Sequence, residues 1–231
     1  MTVAFAWIDN GNVDGQWAGC MMDALRANPE VWGDRIRGNS GANVSKARNE
    51  VAHRFLDESD DEWLLMVDTD LLFAPDFILG LLEAADPVER PVISGLYFAQ
   101  EAAPEAVMPS LRPLIFQFNE ENVFDSIKRY QQNSLMQVNG APTGMLLVHR
   151  TALEKTRGDK LFPWFYEQII TGSNNEERWV SEDLTFSLVL QAAGIPIYIH
   201  TGIACAHRKT YLLTEELYIA LGGPVEIPDE D

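Results

Sequence analysis

The chain has 231 residues, enough for one large α/β domain with a substantial core, and 35 acidic against 17 basic residues give it a formal net charge of −18. So acidic a protein disfavours duplex nucleic acid and anionic membranes as partners, although a metal ion and a few basic groups can still accommodate a nucleotide. The two cysteines, Cys20 and Cys205, have no metal-ligand spacing and indicate neither a disulfide framework nor a zinc site.

The start of the sequence carries a short apolar run that breaks at Asp9, without the basic region that begins a secretory signal peptide. No charge-free apolar run in the sequence is long enough to span a bilayer. These features predict a cytoplasmic protein without a transmembrane segment.

Residues 3–8 predict a buried first strand, and a helix is predicted over residues 15–27. Asp9 and Asn10 begin the polar turn between them, at the end of a strand where α/β proteins bind ligands such as nucleosides. An ordinary strand-to-helix turn explains these residues equally well. The turn matches neither the glycine fingerprint of dinucleotide-binding folds nor a P-loop, which disfavours both kinds of site.

A second strand is predicted over residues 31–36 and a second helix over residues 43–56, where apolar residues recur at helical spacing. Lys46 and Arg48 lie in the first turns of this helix, outside its apolar stripe. Basic residues on a helix are usually solvated. In so acidic a protein, however, Arg48 is a candidate contact for a phosphate.

The third predicted strand, residues 63–67, consists of five apolar residues and leads into two aspartates, Asp68 and Asp70. An unbroken apolar run is typical of a strand buried on both faces of a mainly parallel sheet. In an extended chain the two carboxylates point to the same side and repel unless a cation lies between them. Mg2+ or Mn2+ meets that requirement. The alternative is a turn or helix cap, but the Pro-Asp pair at 75–76 already explains the next helix start.

Further strands and helices are predicted in the second part of the chain. They are helices over residues 75–85 and 181–193 and strands over residues 91–98, 114–118, 135–138, 145–149 and 195–200. Residues 99–113 and 171–178 are rich in turn-forming residues and predict loops. The aromatic cluster at 162–166 is more typical of a core than of a ligand platform. Residues 222–231 form an acidic end that we expect to be flexible.

Glu182 and Asp183 begin the last predicted helix, directly after Ser181. Carboxylates at this position stabilise a helix N-terminus without any catalytic role. His207 follows the last strand, and an isolated histidine is more often structural than a ligand. These residues do not establish a site on their own.

The order and spacing of these segments resemble the GT-A glycosyltransferases, in particular the family-2-like enzymes of bacteria and phages. The matching segments are residues 45–49, 63–76, 144–150, 181–186, 193–194 and 206–209. The resemblance implies an α/β GT-A (Rossmann-like) fold with a mainly parallel central sheet flanked by helices and a smaller antiparallel acceptor-side portion. It also implies one catalytic domain over residues 1–221, with residues 1–110 mainly binding nucleotide and residues 111–221 mainly binding the acceptor. If a phage encodes the chain, the host cytoplasm is the expected location.

The resemblance implies a division of labour on the donor side. Asp70 would bind Mn2+ or Mg2+, His207 would complete the metal site, and Asp68 would contact either the donor ribose or the metal shell. The other implied donor contacts are Asp9 and Asn10 near the nucleobase, Arg48 near the nucleotide and Lys209 against the diphosphate.

On the acceptor side, the resemblance implies Asp183 as the general base, with Glu182 as the second choice. It also places Gly144 and Trp164 against the bound acceptor or the transferred sugar. An acceptor hydroxyl needs a base within hydrogen-bond reach. A carboxylate also favours the oxocarbenium character that develops when a glycosidic bond breaks.

The implied activity is that of a metal-dependent glycosyltransferase of the hexosyltransferase type, which moves a sugar from a UDP- or GDP-sugar to an acceptor hydroxyl. A divalent cation stabilises the negative charge that grows on the leaving diphosphate. The acceptor, whether protein, glycan or small molecule, is not indicated by the sequence. Inverting and retaining chemistry both stay open, because Glu-Asp pairs have different roles across this superfamily.

Three other functions compete with this interpretation. A haloacid-dehalogenase-like phosphatase uses two aspartates on its first strand, whereas Asp68 and Asp70 follow the third predicted strand. A sugar-1-phosphate nucleotidyltransferase shares the fold class, but it has a glycine-rich basic loop after strand one, which this chain lacks. A catalytically inactive carbohydrate-binding or virion-associated relative would have no use for this set of residues together: Asp68, Asp70, Asp183 and His207.

Overall fold

The computed structural model describes residues 2–101 and 110–209, and every structural statement below refers to those residues. The acidic end predicted over residues 222–231 lies outside them, as does the middle of the loop predicted over residues 99–113. Helices and strands are numbered in chain order, from α1 to α5 and from β1 to β15.

The described chain alternates between helices and strands, as the sequence predicts. The helices are α1 (Gly15–Ala27), α2 (Val44–Glu58), α3 (Asp76–Ala84), α4 (Arg150–Thr156) and α5 (Glu182–Ala192). The central sheet contains β1 (Val3–Asp9), β2 (Trp32–Asn39), β3 (Trp63–Val67), β5 (Val92–Leu96), β10 (Leu135–Val138), β11 (Met145–His149) and β14 (Ile197–Ala204). Within the described ranges, no helix combines the length and the apolar character needed to cross a membrane.

Eight short strands form antiparallel pairs outside the central sheet. The pairs are β4 (Leu71–Leu72) with β15 (Ala206–His207), β6 (Phe98–Glu101) with β7 (Ser110–Pro113), β8 (Phe116–Phe118) with β9 (Phe124–Ser126), and β12 (Gln168–Thr171) with β13 (Glu177–Val180). The β4–β15 pair is the one that matters most for the site, because it brings the end of the described chain against the residues that follow β3.

The central sheet has the strand order β10-β14-β5-β11-β3-β1-β2. β1, β2 and β3 are parallel, β5 and β14 are parallel, and β10 and β11 are antiparallel to their neighbours. Because β11 reverses direction between β3 and β5, five of the seven strands run the same way. The predicted fold class is therefore confirmed: an α/β protein with a mainly parallel sheet, flanking helices and smaller antiparallel parts.

Side chains of β3 alternate between two cores, which explains its unbroken apolar sequence. Its even-numbered residues join the core under α2, α4 and α5, and its odd-numbered residues join the core under α1 and α3. All five residues of the strand are buried. A strand covered by helices on both faces needs an apolar side chain at every position.

The antiparallel parts hold the main differences from the sequence prediction. Residues 171–178, predicted as a loop, form the turn and inner ends of the β12–β13 hairpin. The helix α4 is not predicted, and β8 is shorter than the strand predicted over residues 114–118. With seven residues, α4 is too short for a helical repeat to be recognised. An exposed hairpin lacks the regular buried face that marks a strand in sequence.

The buried side chain of Asn49 joins α2 to the segment that precedes the β12–β13 hairpin. Its amide nitrogen donates to the carbonyl oxygens of Ser45 at 2.8 Å and Phe165 at 2.7 Å. Its amide oxygen accepts from the backbone nitrogen of Trp164 at 3.2 Å. Because Asn49 is fully buried, water cannot replace these bonds, and they fix the segment against the start of α2.

We expect Asn49→Ala to lower the free energy of unfolding by about 1–3 kcal/mol, because buried backbone groups then lose their hydrogen-bond partners. Urea denaturation followed by tryptophan fluorescence measures this change. Asn10→Ala, at an exposed position, is the control and should alter stability by less than about 0.5 kcal/mol. If the Asn49 variant is as stable as the wild type, the connection does not stabilise the fold.

Candidate active site

The predicted site residues converge at the edge of the sheet where β1 and β3 end and β11 begins. A cavity of about 400 Å3 opens there. Seven predicted residues line it: Arg48, Asp68, Asp70, Glu182, Asp183, His207 and Lys209. The rest of its wall consists of Ile8, Ser40, Val44, Thr69, Tyr97 and Leu114. We call this space the donor cavity.

Buried Arg48 binds three carboxylates at the donor cavity. Its Nη1 donates to Glu182 Oε1 at 2.9 Å and to Asp183 Oδ1. Its Nη2 lies 3.1 and 3.2 Å from the two oxygens of Asp68. Asp68 directly follows β3, whereas the other two carboxylates begin α5. One guanidinium from α2 therefore connects the end of β3 to the start of α5.

The charges of this cluster shift several pKa values. Burial acts to lower the pKa of the Arg48 guanidinium, but the surrounding carboxylates outweigh burial and raise that pKa. Burial raises the pKa of the carboxyl groups of Asp68 and Glu182, and Arg48 opposes this effect at both. Burial and the nearby carboxylates also raise the pKa of Tyr97 well above its ordinary value. Arg48 is therefore charged at neutral pH, and its partners share one positive charge.

Asp70 has a different set of partners, supplied by the residues after β14. Its Oδ2 lies 3.0 Å from His207 Nε2 and accepts a hydrogen bond from Lys209 Nζ, also at 3.0 Å. Burial acts to raise the pKa of Asp70, but the bonds from His207 and Lys209 outweigh burial and lower it to about 2. Asp70 is therefore an ionised carboxylate at neutral pH.

The donor atoms of Asp70 and His207 suit a divalent cation. Nδ1 of His207 lies 2.7 Å from the carbonyl oxygen of Phe98, which can only accept, so Nδ1 carries a proton and Nε2 faces Asp70. A histidine oriented by a backbone carbonyl is the usual arrangement of a metal ligand. Within residues 2–101 and 110–209, no three His, Cys, Asp or Glu side chains form a complete metal site. The pair would therefore need substrate and water as further ligands. Asp68, the other candidate ligand, is bound to Arg48.

Asp183 presents one unoccupied oxygen at the donor cavity. Its Oδ1 accepts hydrogen bonds from Arg48 and, at 2.5 Å, from Thr143 Oγ1. Its Oδ2 has no hydrogen-bond partner in the described part of the chain, and the side chain is 23% exposed. A carboxylate held in place by one oxygen and open at the other can accept a proton from a bound hydroxyl.

Gly144, predicted as an acceptor contact, lies directly behind Asp68. It is buried, its nitrogen donates to Tyr97 Oη at 2.9 Å, and its carbonyl oxygen accepts from Asp68 N at 2.8 Å. A Cβ at this position would lie 2.5 Å from Tyr97 Oη and 2.8 Å from Asp68 Oδ2. Only glycine leaves room for both side chains here.

Trp164 is wrongly predicted as an acceptor contact, because it is fully buried. Its indole nitrogen donates to Thr156 Oγ1 at 2.9 Å, and its backbone nitrogen donates to Asn49. The ring therefore anchors its segment in the core. An aromatic cluster in a sequence does not reveal which ring faces outward, and it is Phe162 and Tyr166 that keep exposed surface.

Asp9 and Asn10, predicted to face the nucleobase, lie at and just after the end of β1 and do not line the donor cavity. Asp9 is buried and accepts hydrogen bonds from Arg37 at 2.6 and 2.7 Å, Trp7 at 3.0 Å and Gly11 at 2.7 Å. The Arg37 bonds, against the effect of burial, lower the pKa of Asp9 to about 2. Asp9 therefore shapes the turn. Of the two residues, the exposed Asn10 is the one that a nucleobase can contact.

Sequence reasoning misses three residues of the site. Tyr97 directly follows β5, and Thr143 directly precedes the matched segment at 144–150. The signal available for both is their position at the ligand-binding edge of the sheet. Arg208 binds Asp14 through its side chain and donates its backbone nitrogen to the carbonyl oxygen of Asp70 at 2.8 Å. It holds the segment at residues 206–209 in place beside Asp70.

Replacing Arg48 with methionine should destabilise the protein by roughly 3–5 kcal/mol at neutral pH, because the carboxylates lose their shared cation. The pKa values of Asp68 and Glu182, already raised, should rise further. A carboxyl whose pKa is raised by folding costs stability as the pH increases, so the variant should regain stability as the pH falls from about 7 towards 4. Urea denaturation at several pH values measures both effects.

The control for this variant is Arg157→Met, which removes a partly exposed ion pair with Asp57. It should cost less than about 1 kcal/mol and show no recovery at low pH. Equal stability of Arg48→Met and the wild type at neutral pH would contradict the proposed role of Arg48 in holding the cluster.

Neither a protein-family model nor a curated protein sequence matches this chain. Among solved structures, protein A197 from STIV is 15% identical, with a TM-score of 0.57 over 91% of this chain and 87% of that one. GalNAc-T7, in a structure with UDP, GalNAc and Mn2+, is 8% identical, with a TM-score of 0.57 over 89% of this chain and 43% of that one. A Drosophila β-1,4-galactosyltransferase 7 is 15% identical, with a TM-score of 0.47 over 91% and 72% of the two chains.

This chain thus spans less than half the length of the GalNAc-T7 chain. At these low identities the similarity concerns the fold. It matches the central sheet and flanking helices described above, and it agrees with the resemblance found in the sequence. The protein has an α/β fold of the GT-A type.

Proposed function

We propose that this protein is a metal-dependent glycosyltransferase that moves a hexose from a UDP- or GDP-sugar to an acceptor hydroxyl. The observation that carries the proposal is the donor cavity, which combines a cation-binding pair with an available base at the ligand-binding edge of a GT-A-type sheet. Asp70 and His207 form the pair, and Asp183 is the base. The presence of UDP and Mn2+ in the GalNAc-T7 structure agrees with a donor of this class.

On the donor side, Asp70 and His207 would hold Mn2+ or Mg2+. The metal ion supplies electrostatic stabilisation of the leaving diphosphate. Lys209 lies at the same cavity and adds a positive charge for the phosphates. Asp68, which Arg48 orients and Gly144 backs, is available to contact the ribose. The exposed Asn10 is available to contact the nucleobase.

On the acceptor side, Asp183 would take the proton from the attacking hydroxyl through Oδ2, while Thr143 and Arg48 hold Oδ1. Glu182 shares Arg48 and is the second candidate for this role. We also propose that residues 1–110 mainly bind the nucleotide and residues 111–221 mainly bind the acceptor. The anomeric configuration of the product would distinguish inverting from retaining transfer.

The first experiment is a donor panel. The purified protein with Mn2+ is incubated with UDP- and GDP-sugars, and slow donor hydrolysis is followed by release of the nucleotide. Turnover of one donor that stops with EDTA supports the proposal. If no donor is turned over and no donor shifts the melting temperature, the proposal is contradicted. Donor binding without turnover favours the alternative of an inactive carbohydrate-binding protein.

Asp70→Asn should weaken Mn2+-dependent binding of UDP by at least about tenfold, because the metal ion loses a charged ligand. His207→Ala should have the same effect. Isothermal titration of UDP in MnCl2 and in EDTA measures it. Asp76→Asn, an exposed carboxylate in the first turn of α3, is the control. An unchanged UDP affinity in either site variant would remove that residue from the metal site.

Asp183→Asn should leave the affinity for UDP within about twofold of the wild type and slow transfer by about 100-fold or more, the usual contribution of a general base. Glu182→Gln should slow transfer less. Rates with the donor found in the panel, together with melting temperatures, separate a catalytic loss from an unfolded variant. Normal transfer by the folded Asp183→Asn variant would assign the base elsewhere.

A further inference from the structure

A second cavity, of about 470 Å3, adjoins the donor cavity. We call it the side cavity. Both cavities are lined by Val44 and Glu182, so these two side chains form the wall between them. Asp183, next to Glu182 in the chain, lines the donor cavity. A molecule bound in the side cavity would therefore meet the donor close to the proposed base.

The walls of the side cavity combine aromatic and polar groups. Phe162 and Tyr166 supply aromatic surface, while Asn43, Ser45 and Glu167 supply hydrogen-bonding groups. Aromatic surface with a few placed polar groups is typical of a small-molecule site, and the volume lies in the usual range. Cyclic sugars present both kinds of surface, because their C–H faces are apolar and their hydroxyls are polar.

The side cavity is held in shape from behind. Asn49 binds Ser45 on one wall and the backbone at Trp164 and Phe165 on the other. Trp164 and Phe165 are themselves fully buried. The two walls are thus fixed to each other before any ligand binds, which reduces the entropy that a ligand must overcome.

Exposed apolar side chains gather around this cavity. The described residues include ten exposed large hydrophobic side chains, of which two line the cavity and three more are connected to its lining residues through the chain or the β12–β13 pairing. These five are Val44, Leu161, Phe162, Ile169 and Trp179. Exposed apolar surface that is concentrated in one place marks an interaction site, whereas single exposed side chains are ordinary.

The β12–β13 hairpin extends the aromatic surface beyond the cavity. Glu167 lines the cavity and directly precedes β12, and Ile169 follows it by two residues, about 7 Å along an extended chain. Trp179 is the direct cross-strand partner of Ile169. Both are largely exposed, at 64% for Trp179 and 63% for Ile169. Ile169 and Trp179 thus form an exposed apolar pair on the hairpin that follows the cavity wall in the chain, and we call this pair the Ile169–Trp179 platform.

Charge decides which sugars fit. Glu167 and Glu182 line the cavity, and Glu177 is exposed on the face of the hairpin that carries Trp179. Lys46 is the basic residue of the cavity wall, and Glu50 already pairs with it at 3.5 Å. An acidic sugar would be repelled, so a neutral sugar is favoured.

We propose that the side cavity and the Ile169–Trp179 platform bind a neutral oligosaccharide as the acceptor, with its terminal sugar beside Glu182 and a following sugar stacked on Trp179. The role of the bound saccharide as the acceptor rests on the proposed function. The binding of the saccharide itself does not depend on turnover.

The test uses cellotriose, maltotriose, mannotriose and chitotriose as probes, with trigalacturonate as the acidic counterpart. Saturation-transfer NMR on the full chain without donor detects binding, and titration gives the Kd. We expect at least one neutral trisaccharide to bind. Trp179→Ala and Phe162→Ala should each weaken its binding on the order of tenfold, the loss of one aromatic stacking contact. Val88→Ala, an exposed apolar side chain outside both cavities, should not change the Kd.

The possible outcomes separate this proposal from the previous one. Binding that is lost in the two aromatic variants supports the saccharide site, even if no donor is turned over. No binding of any neutral trisaccharide at millimolar concentration overturns it, as does equal binding of trigalacturonate or an unchanged Kd in both variants. Transfer to a peptide by an enzyme that binds no trisaccharide would also overturn it, while leaving the glycosyltransferase proposal intact.

Discussion

The buried guanidinium of Arg48 is the interaction on which the rest of the site depends. In the described part of the chain it pairs with the carboxyl groups of Asp68, Glu182 and Asp183, so one basic group faces three acidic ones. Arg48 is almost completely buried, whereas the side chains of its three partners are 18–35% exposed. The cluster therefore favours positive charge at its open side. Such a cluster would stabilise a sugar carbon that becomes positively charged as its bond to a leaving group breaks.

A second group of charges, beside Asp70, is closer to balance, because Lys209 pairs with Asp70 and Arg208 pairs with Asp14. Lys209 and Arg208 stand beside Asp70, and a bound cation there would add further positive charge. The two ends of the cavity thus differ in charge, and under the proposed function the less acidic end would face the departing diphosphate and the other end the electron-poor sugar and its incoming nucleophile. Group transfer between two substrates needs such a gradient, because opposite charges develop on the two sides of the breaking bond.

The sequence predicted what depends on local pattern. The apolar run of β3, the helical spacing of α2 and the acidic start of α5 gave the sheet edge and most of the cavity lining. The sequence did not predict which candidate side chains are already bound by, or packed against, other residues of the protein. Asp9 is bound by Arg37 from a neighbouring strand, and Gly144 faces the back of Asp68, because pairing across strands fixes both. Burial of Trp164 likewise follows from its bond to Thr156 on α4, an element too short to recognise.

The long sequence separations within the site have a consequence for how the protein acquires activity. Arg48 and Glu182 are 134 residues apart, Asp70 and His207 are 137 apart, and Asp14 and Arg208 are 194 apart. Closing loops of this length carries a large entropic cost before any contact rewards it, so such contacts form slowly. During synthesis, residues 207–209 also emerge after nearly all of the sheet. The cavity is therefore complete only when segments far apart in the sequence have come together, and binding of a ligand there reports on that assembly.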